Sequence, residues 1–476
     1  MGPVPVKSLD RPAAWDWRLA VPVVLLIAAF DVAVGYAATR SPWVVVGLVV
    51  ALSAVVLLLS SGTALFLTVF VAKPFIDMLW FASTSVGGVS VNAQSIVSIA
   101  VFGVGLLIIM VRRIELPNAL FIPMALFAAS NVIALLMTPS LTNGADSFIR
   151  IVCGFPLALV VPTLVTDLPA PRRLLQYFMA VIGVVYLTVL LQPLGVIPYT
   201  ATDAGGIQRA TGFYYHPWDI ARYLVVALPL VLAIMEDRTS KPMLRWIYRG
   251  LFAATLLVTF FTYLKAAWIV ILIEIVLWFF LTRRPLQGVL VLTVVAVVVA
   301  YPARDFVFAV FGDVARLADP LTSGQALSGR VSIWETYWGS LRQASTFHII
   351  FGQGFDSAGL ELSRKATHND YLRLLVVNGV VGLLAYVALI VGALRLLARA
   401  VRVLRRRGGL EWRIGVGAQC MFAAYLLMGL TADPSSYPSI TLYLWLLLGL
   451  VFGYAQLATA QERASALTEG AALAPL

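Results

Sequence analysis

The stretch YLRLLVVNGVVGLLAYVALIVGAL at residues 371–394 contains a single charged side chain, Arg373, near its start. A bilayer core of roughly 30 Å is crossed by about 20 apolar residues in a helix, so this stretch predicts a transmembrane helix. The whole chain shares this character, with 61% hydrophobic residues, 12% charged residues and a mean hydropathy of +0.92. A soluble protein of 476 residues does not bury that much apolar surface, so the sequence predicts an integral membrane protein.

Similar apolar stretches recur along the chain and predict an all-α integral membrane protein of about 14 transmembrane helices. The first stretch follows basic residues, as a signal peptide would, but it is about 20 residues long and contains Asp31. We therefore interpret it as a membrane span that is not cleaved. The predicted spans are 18–39, 43–60, 63–82, 93–112, 117–137, 147–167, 174–192, 218–235, 247–263, 266–282, 286–302, 371–394, 413–431 and 438–457.

The distribution of lysine and arginine predicts which connections face the cytoplasm. If the amino terminus is cytoplasmic, every second connection should be basic. The connections at 83–92, 138–146 and 431–437 contain no Lys or Arg, whereas those predicted on the other side are basic. The basic connections include 112–113, 172–173, 238–249, 283–284 and 395–413. This pattern predicts that both termini are cytoplasmic, and it accounts for the net charge of +11 without a nucleic-acid partner.

Two connections on the predicted outer side, 193–217 and 303–370, are long and polar. In the second, apolar residues recur at helical spacing from Val331 to Leu341, which predicts short interfacial helices within a long extracytoplasmic loop. Both cysteines fall inside apolar spans and predict no disulfide. We divide the chain into N-terminal transmembrane helices (1–192), central transmembrane helices with the first outer motif (193–302), the extracytoplasmic loop (303–370) and C-terminal transmembrane helices (371–476).

Histidines and arginines mark the two outer segments. The three histidines of the chain are His216, His348 and His368, and all fall there. The accompanying motifs are QRATGF at 208–213, GRVSIW at 329–334 and THNDYL at 367–372. Each motif places a guanidinium or an imidazole beside the predicted outer membrane surface. Loops held on a rigid scaffold are common places for function.

The residue types in these motifs suit a substrate with a lipid tail in the bilayer and an anionic head at its surface, such as a polyprenyl diphosphate. The planar fork of arginine donates paired hydrogen bonds to phosphate oxygens, and such charge-assisted bonds are stronger than neutral ones. A neutral imidazole, with an ordinary pKa near 6.5, can accept a proton from an attacking hydroxyl group. The outer segments therefore predict a site for an anionic lipid.

The run from His368 to Leu372, continuing to Asn378-Gly379-Val380-Val381-Gly382-Leu383, resembles the signature of the O-antigen ligase and polymerase superfamily. Three further elements are similar to the family pattern and occur in the same order along the chain. They are Arg209 to Phe213, Gly329-Arg330 to Trp334, and the turn from Phe351 to Phe355. The resemblance covers roughly residues 205–390.

The resemblance implies transfer of a glycan from undecaprenyl diphosphate to an acceptor hydroxyl on the outer face of the bacterial cytoplasmic membrane, without a nucleotide sugar. Carried over to this chain, it assigns His368 as the catalytic base and Arg209 and Arg330 as ligands of the diphosphate. Lys265 stands where members of the family often have arginine, so a point charge replaces a fork. Lys265 is therefore also a candidate diphosphate ligand.

The same chemistry predicts that the reaction needs no metal or other cofactor. Arginine can stabilise the leaving diphosphate, and no two outer carboxylates are close along the sequence. A single displacement of this kind inverts the configuration of the sugar. The predicted partners are the lipid-linked glycan donor, a glycan or lipid-core acceptor, the lipid bilayer and polysaccharide-assembly proteins.

Structural roles compete with functional ones for each of these residues. His368 would equally cap a transmembrane helix at the interface, and Arg209 and Arg330 would equally anchor helix ends by snorkelling. Arg222, about one turn into the eighth span, either pairs with Asp219 or lines the groove for the lipid diphosphate.

For His216 and His348 we predict structural roles, because one precedes Pro217 and the other lies beside two isoleucines. Lys73 and Asp77 have the spacing of an ion pair within a helix. The sequence assigns no function to this pair, nor to the intramembrane acids Asp31 and Glu274.

Three hypotheses remain at this stage. The leading one is a glycosyltransferase, either a polymerase that joins repeat units or a ligase that moves a finished chain, and no short motif separates these two. A flippase for the same lipid-linked oligosaccharide also suits many spans, but transporters are commonly built from repeats around a midplane site, and no repeat is evident here. A structural scaffold would not explain the arginine and histidine motifs.

Overall fold

The computed structural model describes most of the chain. The described residues are 62–78, 83–86, 89–112, 114, 117–202, 208–237, 239–300, 326–355 and 367–472. The predicted spans at 18–39 and 43–60, with Asp31, lie outside them, as does a large part of the predicted loop 303–370.

The described residues form helices and two short pairs of strands. The helices are α1 (Gly62–Leu67), α2 (Lys73–Met78), α3 (Ala93–Arg112), α4 (Asn118–Leu136), α5 (Leu141–Val152), α6 (Phe155–Val160), α7 (Pro171–Leu190), α8 (Pro217–Met235), α9 (Pro242–Phe261), α10 (Lys265–Leu281), α11 (Pro285–Ala300), α12 (Ala326–Gln343), α13 (Thr346–Phe351), α14 (Asp370–Arg407), α15 (Gly409–Met428) and α16 (Pro438–Ala472). A π-helical turn at Thr68–Ala72 joins α1 to α2, and 3₁₀ turns occupy Val161–Leu164 and Pro434–Ser436.

Eight helical stretches within the described residues are long and apolar enough to cross a membrane. They are Gln94–Arg112, Asn118–Leu136, Asn143–Leu164, Pro171–Leu190, Pro217–Met235, Pro242–Phe261, Asp370–Arg407 and Pro438–Thr468. The predicted class, an all-α membrane protein, is consistent with this structure. The count of about 14 spans stays a prediction.

Two short antiparallel hairpins were not predicted. β1 (Ser83–Val86) pairs with β2 (Val89–Asn92), and β3 (Ala201–Thr202) pairs with β4 (Gln208–Arg209). The region 83–92 was predicted to be a connection without secondary structure. Its Ser, Thr and Val residues flank a Gly-Gly pair, which is a pattern typical of hairpins.

The connections predicted to be cytoplasmic contact one another through ion pairs. Glu236, just after α8, lies 3.1 Å from Arg284 and 3.8 Å from Arg413, measured between carboxylate oxygen and guanidinium nitrogen. Arg172, at the start of α7, lies 2.8 Å from Asp237. These pairs gather the ends of several helices at one end of the bundle, which we call the basic end.

Hydrogen bonds gather the other helix ends at the opposite end of the bundle. The Ala210 N–H donates to the Phe261 carbonyl at 2.9 Å, which joins the segment after β4 to the end of α9. The Asp370 N–H donates to the Gly429 carbonyl at 2.8 Å, which joins the start of α14 to the end of α15. The candidate residues of the sequence motifs lie among these connections.

Helix α8 lies at the centre of the bundle. Every residue of α8 from Ile220 to Ile234 is buried, and the helix packs against α7, α9, α10, α15 and α16. A helix that is apolar on all faces is typical of a bundle interior. The first turns of α8 therefore have a fixed position relative to the surrounding helices.

Helix α14 is kinked at Gly379, whose φ of 67° and ψ of −172° are not helical. The kink frees backbone carbonyls, and a turn after α13 binds them. The Gln353 N–H donates to the Val376 carbonyl at 2.8 Å, and the Gly354 N–H donates to the Val377 carbonyl at 3.2 Å. Buried carbonyl groups need such partners. The Phe351 to Phe355 motif thus caps the first part of α14.

We expect Gly379→Ala to lower the free energy of unfolding by about 2 kcal/mol or more. The added methyl group would overlap the Ile350 carbonyl oxygen, and alanine disfavours a φ of 67°. Gly250→Ala is the matched control, because a methyl group there meets no atom within 4 Å. Thermal unfolding of both purified variants in detergent tests this; equal stability would contradict the described packing at the kink.

Candidate functional site

His368 immediately precedes α14 and has a φ of 51°, a left-handed backbone conformation that is uncommon for a residue with a side chain. Asp433, from the connection between α15 and α16, supports this conformation. One of its oxygens accepts from the His368 N–H at 3.2 Å and the other from the Asn369 N–H at 3.1 Å. The carboxylate therefore fixes the backbone that carries the imidazole.

Asp433 was not predicted as a site residue, because the connection at 431–437 was notable in the sequence only for its lack of basic residues. Asp433 is buried, and desolvation raises its pKa to about 6, while the charge of Arg373 opposes the shift and that of Asp370 adds to it. The one available signal was an acid followed by Pro434 in a short connection.

The fold also brings together two acids that are far apart in the sequence. Asp370 accepts from the Ser435 hydroxyl at 2.7 Å and forms an ion pair with Arg373 at 2.9 Å. The same arginine shifts the pKa of Asp433. Asp370 and Asp433 are far apart along the sequence, so spacing alone did not pair them, but in the structure both interact with Arg373. Within the described residues, no group of three or more His, Cys, Asp or Glu side chains could hold a metal ion.

The motif that contains Arg330 packs against the motif that contains His368. The indole N–H of Trp334, in α12, donates to the Thr367 carbonyl at 3.0 Å. Tyr337 and Leu341 of α12 form a buried cluster with Leu372 of α14 and its neighbour Val376. A polar bond and an apolar cluster thus hold α12 against the start of α14.

Burial and the charges of two residues, Arg330 and His216, act on the His368 imidazole. Desolvation by burial lowers the pKa of His368 below its ordinary value of 6.5, and the charges of Arg330 and His216 lower it further. The imidazole of His368 is therefore mainly neutral at pH 7, which is the form that can accept a proton.

His216 caps the start of α8. Its Nδ1 accepts from the Trp218 N–H at 3.2 Å, and its own N–H donates to the Asp219 carboxylate at 3.0 Å. The predicted structural role of His216 is confirmed. Burial lowers its pKa, Asp219 raises it, and the charges of Arg222 and Arg209 lower it. The charge of His216 in turn lowers the pKa of His368, so His216 interacts with Arg209 of the first outer motif, with Arg222 of α8 and with His368.

Arg222 was predicted either to pair with Asp219 or to line the groove for the lipid diphosphate. Its guanidinium lies 2.7 Å from the Asp219 carboxylate, so the predicted pair is present. The guanidinium carbon also lies 3.3 Å from the centre of the Tyr437 ring, a cation–π contact. Arg222 is 9% exposed. Two contacts therefore fix its orientation at the end of α8 that carries His216.

The segment that carries Arg209 is held by Gln192, which follows α7. The Gln192 side-chain oxygen accepts from the N–H groups of Thr211 and Gly212 at 2.7 and 2.8 Å. Gly212 has a φ of 61°, and a methyl group there would meet the Thr188 side chain. Gln192 was not predicted as part of the site, although the motif that it binds was recognised.

Lys265 and His348 are the remaining residues considered from the sequence. Lys265 begins α10, and Leu264 before it packs on Ala221 of α8. The His348 Nδ1 lies 2.9 Å from the Ser345 hydroxyl in the first turn of α13, so its predicted structural role is confirmed.

The structure thus brings His368, His216 and Arg330 together, with Arg209 and Arg222 next to His216. We call these five residues the candidate site. A comparison with curated proteins finds no match to the chain. Residues 250–387 match the family model described as O-Antigen ligase, a segment that contains Lys265, Arg330 and His368. The predicted resemblance to the O-antigen ligase and polymerase superfamily is confirmed by this match over residues 250–387.

Proposed function

We propose that this protein is a glycosyltransferase that moves a glycan from undecaprenyl diphosphate to an acceptor hydroxyl, without a metal and with inversion at the sugar. The observation that carries the proposal is the packing of α12, which contains Arg330, against the segment of His368 through the Trp334–Thr367 hydrogen bond. Burial lowers the pKa of His368, and the charges of Arg330 and His216 lower it further. The match of residues 250–387 to the O-antigen ligase family supports the same reaction.

In the proposed reaction, the acceptor hydroxyl oxygen attacks the anomeric carbon of the donor sugar. The bond between that carbon and the diphosphate oxygen breaks, and the diphosphate leaves with the electron pair. His368 takes the hydroxyl proton as the new glycosidic bond forms. Arg330, Arg209 and Arg222 stabilise the negative charge that develops on the diphosphate. Lys265 is a further candidate ligand.

Arg330 has two effects in this scheme. In the free protein its charge lowers the pKa of His368 and keeps the imidazole neutral. Once the donor binds, the negative diphosphate offsets that charge and raises the pKa of His368 again, because an opposite charge favours the imidazolium form. The base therefore becomes stronger when the donor is in place, which is when proton transfer is needed.

The candidate site lies at the end of the bundle opposite the basic end. If the basic end faces the cytoplasm, as the positive-inside rule predicts, the candidate site faces outward. We therefore place the reaction at the outer face of the bacterial cytoplasmic membrane, with both termini inside. A flippase would instead need its charged groups near the midplane, whereas the candidate residues are at helix ends and in connections.

We expect His368→Ala to lower kcat by at least 100-fold, because the reaction loses its general base. Arg330→Ala and Arg209→Ala should each lower kcat/KM by about fivefold or more, which corresponds to about 1 kcal/mol for a charge-assisted bond. The assay uses purified protein, an undecaprenyl-diphosphate-linked glycan and an acceptor. His348→Ala is the matched control and should retain wild-type turnover. Near wild-type turnover in His368→Ala would remove this residue from the mechanism.

The pH dependence of kcat/KM provides a second test. Because the pKa of His368 lies below 6.5, activity should fall with decreasing pH only below that value. Arg330→Gln removes a positive charge that lowers the pKa, so the acidic limb should move to higher pH. Arg330→Lys keeps the charge and should leave the limb close to its wild-type position. An identical limb in both variants would show that Arg330 does not act on the base.

Polymerase and ligase activities can be separated by the acceptor supplied. Given only the lipid-linked repeat unit, a polymerase should produce longer lipid-linked chains. A ligase should stay inactive until a lipid core or another acceptor is added. Gel electrophoresis of the lipid-linked products distinguishes the two results, and inactivity with every acceptor would argue against the proposed transferase.

A further inference from the structure

Lys73 and Asp77 form an ion pair in the interior of the bundle, one helical turn apart in α2. The predicted pair is thus confirmed. The side chains of Lys73 and Asp77 are 1% and 3% exposed. A buried ion pair is rarely a net source of stability compared with apolar residues of similar size, so its presence invites a role in fixing geometry.

A tyrosine hydroxyl binds the second oxygen of this carboxylate. Tyr223, in α8, is fully buried and donates to the Asp77 oxygen that does not face Lys73. Tyr214, in the first outer motif region, donates to the Pro74 carbonyl at 3.0 Å. The turn around Asp77 is therefore bound both by α8 and by the segment between Arg209 and His216.

The backbone before Lys73 is irregular, and this leaves a backbone carbonyl without its usual partner in the helix. The π-helical turn Thr68–Ala72 ends there, and Pro74 has no N–H to offer the carbonyl one turn earlier. The Tyr443 hydroxyl, from α16, donates to the Phe70 carbonyl at 3.1 Å instead. Buried polar groups need partners in a bilayer, so this turn has a defined position against α16.

Tyr223 directly follows Arg222 in α8. The two side chains leave the helix about 100° apart, since a turn contains 3.6 residues. A bond that fixes Tyr223 therefore also restricts the rotation of the first turns of α8, and with it the position from which Arg222 reaches Asp219 and Tyr437. Misplacement by about 1 Å can lower a rate by about 100-fold, so such a constraint matters at a reactive site.

We propose that Asp77 is a positioning residue: through Tyr223 it holds Arg222 in the orientation that binds the donor diphosphate, and Lys73 supplies the counter-charge that lets the carboxylate be buried. This inference rests on the proposed function, because it takes the candidate site to bind a polyprenyl diphosphate. Asp77, Lys73 and Tyr223 themselves do not touch the substrate.

Binding of undecaprenyl diphosphate to the purified full-length protein in detergent tests the inference without requiring turnover. Tyr223→Phe removes one hydroxyl and keeps the ring, and we expect its Kd to rise about fivefold or more. Arg222→Gln should weaken binding at least as much. Because Tyr223 acts through Arg222, the double variant should bind no more weakly than Arg222→Gln alone. Tyr186→Phe is the control, since it removes a buried hydroxyl that bonds Thr255 and not Asp77.

Two neutral double variants isolate the hydrogen-bond acceptor. Lys73→Met with Asp77→Asn retains an oxygen for the Tyr223 hydroxyl and should bind like the wild type. Lys73→Met with Asp77→Leu lacks that oxygen and should bind as weakly as Tyr223→Phe. Both remove the buried charges together, so neither leaves an uncompensated ion. The melting temperature of each variant is measured alongside to show that it is folded.

Additive losses in Tyr223→Phe with Arg222→Gln, or equal binding by the two folded neutral variants, would overturn the positioning role. A wild-type protein that binds undecaprenyl diphosphate with the expected pattern but transfers no glycan would sink the proposed transferase and leave this inference standing. A wild-type protein that does not bind undecaprenyl diphosphate would overturn both.

Discussion

The candidate site depends on one carboxylate that accepts two backbone N–H groups. Asp433 accepts hydrogen bonds from the N–H groups of His368 and Asn369 at 3.2 and 3.1 Å. Both bonds form while His368 has a left-handed φ of 51°. Asn369 in turn caps α14 by accepting from the Leu372 N–H. The same acid therefore sets both the direction of the imidazole and the first turn of the helix behind it.

Sequence patterns predicted the helices and the site motifs, but not the side chains that hold those motifs in place. A helix begins within a few residues of predicted spans such as 93–112 and 218–235, because long apolar runs have no other stable form in lipid. His368, Arg209 and Arg330 were proposed because they lie in motifs of the two outer segments that resemble the family pattern. Asp433 and Gln192 were missed, because a side chain that binds a distant backbone leaves no local pattern.

The kink in α14 is also held by a contact between distant segments that the sequence did not predict. The Asn378-Gly379 pair and the Phe351 to Phe355 motif were both recognised as family elements, but nothing in their spacing predicted that one caps the other. The contact arises because the left-handed Gly379 ends a helix inside the bundle, where freed carbonyls have no water to bind. Two motifs that were predicted independently are therefore one structural unit.

The charges of the candidate site explain why an anion should be its ligand. Arg222 is paired with Asp219, and Asp370 is paired with Arg373, so these groups nearly cancel. Besides burial, the charge of Arg209 lowers the pKa of His216, and the charge of Arg330 lowers the pKa of His368. Positive charge beside a neutral imidazole opposes its protonation, and the proposed diphosphate would offset that charge on binding. The packing of the helices therefore matters to the proposed donor binding, because it fixes where these charges lie.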